Sequence, residues 1–465
     1  MTNLLESVYH LSPVFLQNLA ISIYGMKLYR ERYNKYGDQL FQKINMHQWD
    51  SAEEIKMMQE VNFIGLAREA IMNVPYYEEW AKKEGVHPND IKTLSDLERF
   101  PILEKMQVLK SPDKFINKLE NKVNGLKALS TSGTTGSPLT VFTNNKCRAE
   151  HYAFFTRLRR WYGVDRFDKR ATFFGRVLQK ANNKTLPFWR YDKFQRNLLM
   201  SSYHLSPENL IKYVEKIVDY RPEEIIAYPS SLYPLARFIV ESNIAPIKLK
   251  LIITTAEVLH PFQREMINKA FDAPVVNQYG CTEMAFFASE CEKGYMHLHP
   301  EHGIGEVIDP NNEYSETTRG EFVVTGLINR VMPLIRYRIG DIVELDNTFK
   351  LCECGRSFPV IGNIDGRSDD VLYRKDGTSI GRLDPVFKGG QGIAEAQITQ
   401  NSDSSIVVYV VPLKNFSSEN EAWLLSQLRK RVGDDLPLRI KVVSNIEKEI
   451  NGKFRSVIGN FNPNR

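Results

Sequence analysis

The chain has 465 residues, 42% hydrophobic and 25% charged, a balance that excludes global disorder and a length that predicts two or three domains. Lys and Arg number 61 against 56 Asp and Glu, a net charge of +5; no long basic block accompanies it, so nucleic acid is not an expected partner. Five cysteines are too few for a disulfide framework, and no basic segment precedes an apolar run at the amino terminus, so a cytoplasmic location is expected.

Residues 1 to about 120 predict mostly helix, with apolar residues at three-to-four spacing over 50–68 and breaks at 73–75 and 87–90. Residues 11–26 lean apolar but carry Ser12, Pro13, Gln17, Asn18 and Ser22, which predicts a surface or core helix and no stable membrane insertion. Ser206, Pro207 and Glu208 open a helix as cap and first turn, with Leu210, Ile211, Val214, Ile217 and Val218 along one face. Apolar strands at 224–228, 251–255 and 274–279 alternate with helices at 231–242 and after Pro261, the signature of a parallel α/β sheet. From Gly320, strands at 321–325, 335–337 and 342–345 follow without long helices, which predicts an antiparallel or barrel-like appendage. The tail has strands at 393–400, 406–411 and 440–443 and a helix capped by Ser418 and ending near Val432, a small α+β domain.

Residues 130–138 read S-T-S-G-T-T-G-S-P between an apolar stub (Leu126, Ala128, Leu129) and a strand-like 139–142. Gly133 and Gly136 allow sharp turns that aim N–H groups at an anion, and the hydroxyls of Ser130, Thr131, Ser132, Thr134 and Thr135 add uncharged donors. A polyphosphate suits this chemistry; a flexible linker is the plainer alternative. It is not a Walker A loop, since Gly452-Lys453 precedes Phe454, and no G-x-G-x-x-G follows a strand.

S-T-S-G-T-T-G-S-P resembles the phosphate-binding signature of the adenylate-forming superfamily of acyl-CoA synthetases and peptide-synthetase adenylation domains, and that superfamily's other signatures follow in order. Q-Y-G-C-T-E spans 278–283; the resemblance implies that Gln278 and Gly280 line the nucleotide site, Tyr279 packs on adenine, Thr282 meets phosphate and Glu283 holds magnesium. Ala256 and Glu257 fall where the superfamily lines its adenine pocket. G-E-F-V-V-T-G at 320–326 and R-Y-R-I-G-D at 336–341 come next, with Asp341 the implied acceptor of the ribose hydroxyls. G-R-S-D-D at 366–370 resembles the interdomain hinge, with Arg367 near the nucleotide and Asp369 the pivot. N-G-K-F-R at 451–455 resembles the carboxyl-terminal motif, making Lys453 the adenylation lysine.

P-L-I-R-Y-R-I-G-D, the short tail and C-E-C-G-R resemble phenylacetate–CoA ligases; I-S-I-Y-G, G-I-A-E-A-Q-I-T-Q and I-N-G-K-F-R look closer to that group's capsular-polysaccharide-biosynthesis branch. The implied fold is α/β: a large multi-layer adenylation domain over 1–366, with a helical amino-terminal region, a parallel sheet and a β-rich appendage, then a mobile α+β domain over 367–465. The implied function is ATP- and magnesium-dependent activation of a small carboxylic acid as its acyl-adenylate and transfer to coenzyme A. Transfer to an amine, a carrier protein or a sugar is the alternative, as is a nucleotide-binding partner protein without activity, against which Lys453, Glu283 and Asp341 argue. Phe173 to Arg176, Tyr228 to Ser231 and Asn277 lie where acid pockets form; Arg176 is either a partner for a second anionic group or a surface arginine.

Cys352 and Cys354 form a C-x-C knuckle before Gly355, and Cys291 lies upstream with His297 and His299 just beyond. Three thiols and an imidazole make a four-coordinate structural zinc site; three unrelated free cysteines are the alternative. Resemblance to phenylacetate–CoA ligase relatives that carry a metal cluster here favours zinc, with Cys291, His297, Cys352 and Cys354 as ligands and His299 as the rival to His297. Cys147 is expected to be a small buried residue.

Overall fold

The computed structural model describes residues 2–121, 125–130, 139–180, 182–257, 259, 261–308, 319–365, 372–376, 379–380, 383–387, 392–412, 415–446 and 457–461. The amino-terminal segment is helical, as expected: Thr2–Leu11 (α1), Val14–Arg32 (α2), Lys35–His47 (α3), Ala52–Asn73 (α4), Pro75–Glu84 (α5), Lys105–Lys110 (α6) and Lys118–Asn121 (α7). Ser51 and Glu54 form a capping box that starts α4, and Pro75 stands at the start of α5, where its missing N–H costs nothing. Lys127–Ser130 (β1) pairs antiparallel with Thr140–Thr143 (β2), Ser130 opposite Thr140, and Asn145–Trp161 is α8.

The central alternation follows: Arg170–Phe174 (β3), Trp189–Asp192 (β4), Asn197–Ser201 (β5), Pro207–Tyr220 (α9), Glu224–Ala227 (β6), Pro229–Glu241 (α10), Ile247–Lys248 (β7), Leu251–Thr255 (β8), Pro261–Ala270 (α11), Phe271–Asp272 (β9) and Val275–Gly280 (β10). Phe287–Glu290 (β11), Met296–Leu298 (β12), Gly303–Ile308 (β13), Arg319–Gly326 (β14), Tyr337–Asp346 (β15) and Val360–Asp365 (β16) come next. The tail holds Leu372–Tyr373 (β17), Ser379–Ile380 (β18), Ile393–Gln400 (β19), Ile406–Pro412 (β20), Ser418–Val432 (α12), Leu438–Val442 (β21) and Val457–Gly459 (β22).

A sheet of 12 strands runs in the order β13-β14-β15-β16-β12-β11-β10-β8-β6-β3-β5-β4. Strands β10, β8, β6, β3 and β5 are mutually parallel. Their side chains alternate between two covered faces. Ile225 and Ile252 join Leu210, Leu235 and Ile267 from α9, α10 and α11; Ile226, Leu251 and Ile253 join Ile44 of α3 and Phe154 and Leu158 of α8. Burial on both faces is why these strands read as continuous apolar runs. In the tail, α12 lays Leu424, Leu428 and Val432 on Ile398, Val408 and Val410 of a four-stranded sheet, β21-β20-β19-β22, with its own core.

Several expectations need correction. The β-rich segment is antiparallel, as one of the two expectations had it, rather than barrel-like, and β16 pairs with β12, so its strands extend the main sheet. No separate strand covers 335–337, because Arg336 takes φ +52°, a left-handed kink from which β15 starts as one continuous strand. On α9 the buried face is Leu210, Tyr213, Val214 and Ile217; Ile211 and Val218 are 37% and 52% exposed. Ser206 has the extended backbone of a cap but makes no capping bond. Ser417, not Ser418, caps α12, in a box with Asn420.

Candidate active site and metal centre

Open α/β sheets bind ligands outside the carboxyl ends of their parallel strands. That edge gathers the residue pair after β8, the end of β10 and, two residues past β3, Arg176. Ala256 has φ +67° and Met284 φ +55°, left-handed conformations that cost energy in non-glycine residues and cluster at functional sites. Thr255 donates to Gln278 Oε1 at 2.6 Å, tying the two strand ends together.

The nucleotide motifs meet here. Tyr279 Oη donates to Asp341 Oδ2 at 2.7 Å across 62 residues of sequence. The Tyr279 ring lies edge-on to Phe286, at 4.7 Å, and stacks with Phe322 at 6.1 Å. Glu283 is nearly buried and accepts from Tyr337 Oη at 3.1 Å, while Thr282 is exposed. Close approach explains two glycines: a Cβ on Gly303 would come within 2.3 Å of Ala285 O, and one on Gly326 within 2.9 Å of Ala285 Cα. Ser130 stands at the end of β1, at the mouth of the hairpin with β2. Thr131, Ser132, Gly133, Thr134, Thr135 and Gly136, the hinge pair Arg367 and Asp369, and Lys453 lie outside the described residues.

The four expected metal ligands converge. Cys291 Sγ, a ring nitrogen of His297, Cys352 Sγ and Cys354 Sγ all lie within 4.8 Å of one another. Two sulfurs bound tetrahedrally to one zinc sit about 3.8 Å apart, so the set fits such an ion with small adjustments. His297 aims Nε2 at the cluster, 3.4 Å from Cys354 Sγ, and its Nδ1 is buried without a partner. Cys291 and the Cys352–Cys354 pair each sit on a tight turn: Gly294 N–H donates to Cys291 O and Gly355 N–H to Cys352 O, both at 2.8 Å. Gly294 and Gly355 have φ +82° and +86°, which favours glycine at both. Hydrogen bonding from Cys291 is the largest influence pulling the Cys354 thiol down; His297 and Arg356 add to it against the effect of burial. Cys354 therefore ionises first, as a metal ligand must.

His299, the rival, is engaged elsewhere: Arg157 bonds its Nδ1 at 2.7 Å and Ser289 its Nε2 at 2.9 Å. Sequence reasoning missed the roles of two residues that hold these sites. Arg356 is buried, chelates Glu292 at 2.8 and 3.1 Å and lies over the rings of Trp49 and Trp161. Tyr337 fixes Glu283. Both stand in motifs quoted above, C-E-C-G-R and R-Y-R-I-G-D, but each acts through a partner distant in sequence. Cys147 is buried, as expected, and burial pushes its thiol up to about 12.

The fold matches that of adenylate-forming enzymes. It superposes on 2-hydroxyisobutyryl-CoA ligase, solved with 2-HIB-AMP and CoA, with a TM-score of 0.58 at 20% identity, covering 90% of this chain and 91% of that one. Residues 372–460 match the family model of the CapK C-terminal domain. The chain is homologous to Protein CapK of Staphylococcus aureus, 29% identical over 467 residues that cover 98% of this chain and 100% of that protein. It is also homologous to phenylacetate-coenzyme A ligases, that of Thermus thermophilus being 28% identical over 340 residues, 69% of this chain and 72% of the ligase. Among the described residues no helix is long and apolar enough to cross a membrane.

Proposed function

We propose that the protein is an AMP-forming acid ligase: it activates a carboxylic acid with ATP and transfers the acyl group to coenzyme A. The observation that carries this reading is the Tyr279–Asp341 hydrogen bond, which sets Q-Y-G-C-T-E against R-Y-R-I-G-D at the ligand-binding edge of the sheet. Homology to phenylacetate-coenzyme A ligases supports the reaction class. The acid's carboxylate oxygen attacks the α-phosphorus of ATP, the bond to the β-phosphate oxygen breaks, and pyrophosphate leaves. Such a reaction depends on positioning and on neutralising charge. Tyr279 would pack on adenine and Asp341 would accept from the ribose hydroxyls. Residues 130–136 would cradle the leaving phosphates, and Lys453 would bridge the attacking carboxylate and the α-phosphate. Glu283, with one oxygen held by Tyr337, would hold magnesium, which when bound would offset phosphate charge. Asp369 would be the pivot on which the tail turns between the two half-reactions. Acid-dependent exchange of pyrophosphate into ATP tests the reading, followed by thioester formation with coenzyme A. Failure of every acid in a broad library to support exchange would overturn it.

Cys291, His297, Cys352 and Cys354 would hold one structural zinc, pinning the β11–β12 turn to the β15–β16 loop. Four protein ligands leave no open coordination position, so the ion would brace the fold rather than take part in catalysis. Metal analysis of the purified protein should find one zinc per chain, and Cys352→Ser should lose it and lower the melting temperature. A metal-free protein with an unchanged melting temperature would return these cysteines to ordinary packing.

A further inference from the structure

The amphipathicity of α2 is inverted. Its buried residues are Gln17, Gly25, Leu28 and Glu31, of which only Leu28 is a large apolar side chain. The helix holds the sheet through polar groups: Asn18 Oδ1 accepts from Tyr191 N–H at 2.9 Å, the Ser22 hydroxyl accepts from Lys193 N–H at 3.0 Å, and Gln17 Oε1 accepts from Arg190. The apolar residues turn outward. Phe15, Leu16, Leu19, Ile23 and Tyr24 are 41–68% exposed, at the three-to-four spacing that puts them on one helix face. Val8 and Leu11 of α1 are exposed as well, on the other side of the Ser12-Pro13 elbow. A single exposed apolar side chain needs no explanation, but a contiguous row marks a surface that something else covers.

The charges around this row are of one sign. Exposed Lys27 and Arg30 follow it on the last turns of α2, and Lys193 and Arg196 stand exposed in the turn after β4. Between those two, Phe194 is exposed and lies edge-on to Tyr29 of α2, with ring centres 5.3 Å apart, which ties the turn to the helix. Residues 7–32 and 189–197 contain only two carboxylates, Glu31 and Asp192, and both are buried. Glu31 pairs with Lys127 and Arg148. Asp192 accepts from the Phe194 and Gln195 N–H groups at 3.0 and 3.1 Å. These segments therefore offer solvent an apolar row and four cations, with no exposed acid beside them.

We propose that α1 and α2 form a docking surface for an anionic lipid bilayer. The helices lie in the plane of the headgroups, with Leu11, Phe15, Leu19 and Ile23 toward the acyl chains and Lys27, Arg30, Lys193 and Arg196 on the phosphates. Residues 11–26 are too polar to span a bilayer, but lying on one needs only apolar and basic residues set apart on a helix. A second copy of the chain fits this surface less well. Two such faces brought together would set cations against cations with no carboxylate to pair them. One face of α2, about 28 Å by 10 Å, also falls well short of the ~800 Å² per partner of a stable interface. A bilayer takes up the apolar row whatever its area and supplies the anions. The proposal goes beyond the ligase reading and stands or falls separately from it.

Flotation of the full chain with lipid vesicles tests it. The protein should rise with vesicles of phosphatidylcholine mixed with phosphatidylglycerol, bind vesicles of phosphatidylcholine alone at least ~10-fold more weakly, and be released from the mixed vesicles as salt is raised. Leu11→Ser, Phe15→Ser and Leu19→Ser combined should weaken binding about 100-fold. Lys27→Gln, Arg30→Gln and Lys193→Gln combined should do the same through charge alone. Melting temperature and pyrophosphate exchange should hold in both variants, since all six side chains are exposed and none belongs to the nucleotide motifs. Wild-type protein that floats with neither vesicle or equally with both, or either variant floating like the wild type, would overturn the proposal. A dimer in sedimentation velocity that the apolar variant dissociates would give the face to a second copy instead.

Discussion

Strand β3 carries an arginine just inside one end and another just beyond the other, and the two ends behave differently. At the amino end, Arg170 and Arg159 converge on Glu224, the first residue of β6, at 2.8 and 2.7 Å, and all three side chains are buried. Burial alone would raise the Glu224 pKa, but the two guanidiniums outweigh it and hold it below the ordinary value. At the carboxyl end, Arg176 is exposed, and among the described residues its side chain makes no ion pair. The amino end is closed electrostatically and belongs to the core; the carboxyl end is open to solvent. Residue type does not distinguish these arginines. The company each keeps does.

If that contrast is right, the paired end reads out in stability and the open end in catalysis. The largest effect belongs to the paired end: Glu224→Ala leaves two buried cations unmatched and should cost about 3–5 kcal/mol in urea unfolding. A loss under about 1 kcal/mol would mean that this pair behaves like a surface bridge and would erase the contrast. In the carboxyl-terminal motif, Lys453→Ala should slow pyrophosphate exchange about 100- to 1,000-fold while melting temperature and ATP binding hold. Exchange surviving within about tenfold (~1.4 kcal/mol) would remove that lysine from its role.

A pH series sharpens the contrast with smaller effects. His151, beside Tyr152 on α8, is bonded to His302 at 2.9 Å; burial first, then Arg148 and Arg32, lower its pKa to about 3. Burial likewise takes His204 to about 4. Groups whose folded pKa is depressed stabilise the fold above their unfolded value, near 6.5, and that contribution is lost as pH falls toward the folded value. Unfolding free energy should therefore drop below pH ~6.5 by about 1.4 kcal/mol per pH unit for each such histidine. Arg32→Gln should raise the folded pKa of His151 by removing one of the charges that keep it neutral, so its share of the loss levels off at a higher pH; an unchanged levelling-off would place Arg32 away from His151. Glu224 adds its own loss lower down, as pH falls from about 4.5 through its depressed folded value.

Much of this molecule was legible before any coordinates. The alternation at 224–279 specified the parallel sheet because apolar period and connection length are local properties. The order of motifs pointed to the edge of the sheet where Tyr279 meets Asp341, and cysteine type and spacing named three members of the Cys/His cluster. What local pattern could not say is which neighbours would arrive. Periodicity put Ile211 and Val218 on a face of α9, but among the described residues no element covers that side of the helix, and they are exposed. His297 and His299 are two residues apart on neighbouring positions of one segment; the tertiary fold decided between them by giving His299 to Arg157 and Ser289. The β-rich segment looked separate because nothing in its sequence announces that β16 will pair with β12. Sequence by itself determined residue chemistry, element type and motif order, each set within a few residues. The tertiary structure decided pairing, charge balance and ligand choice, because these depend on contacts between segments far apart in the chain.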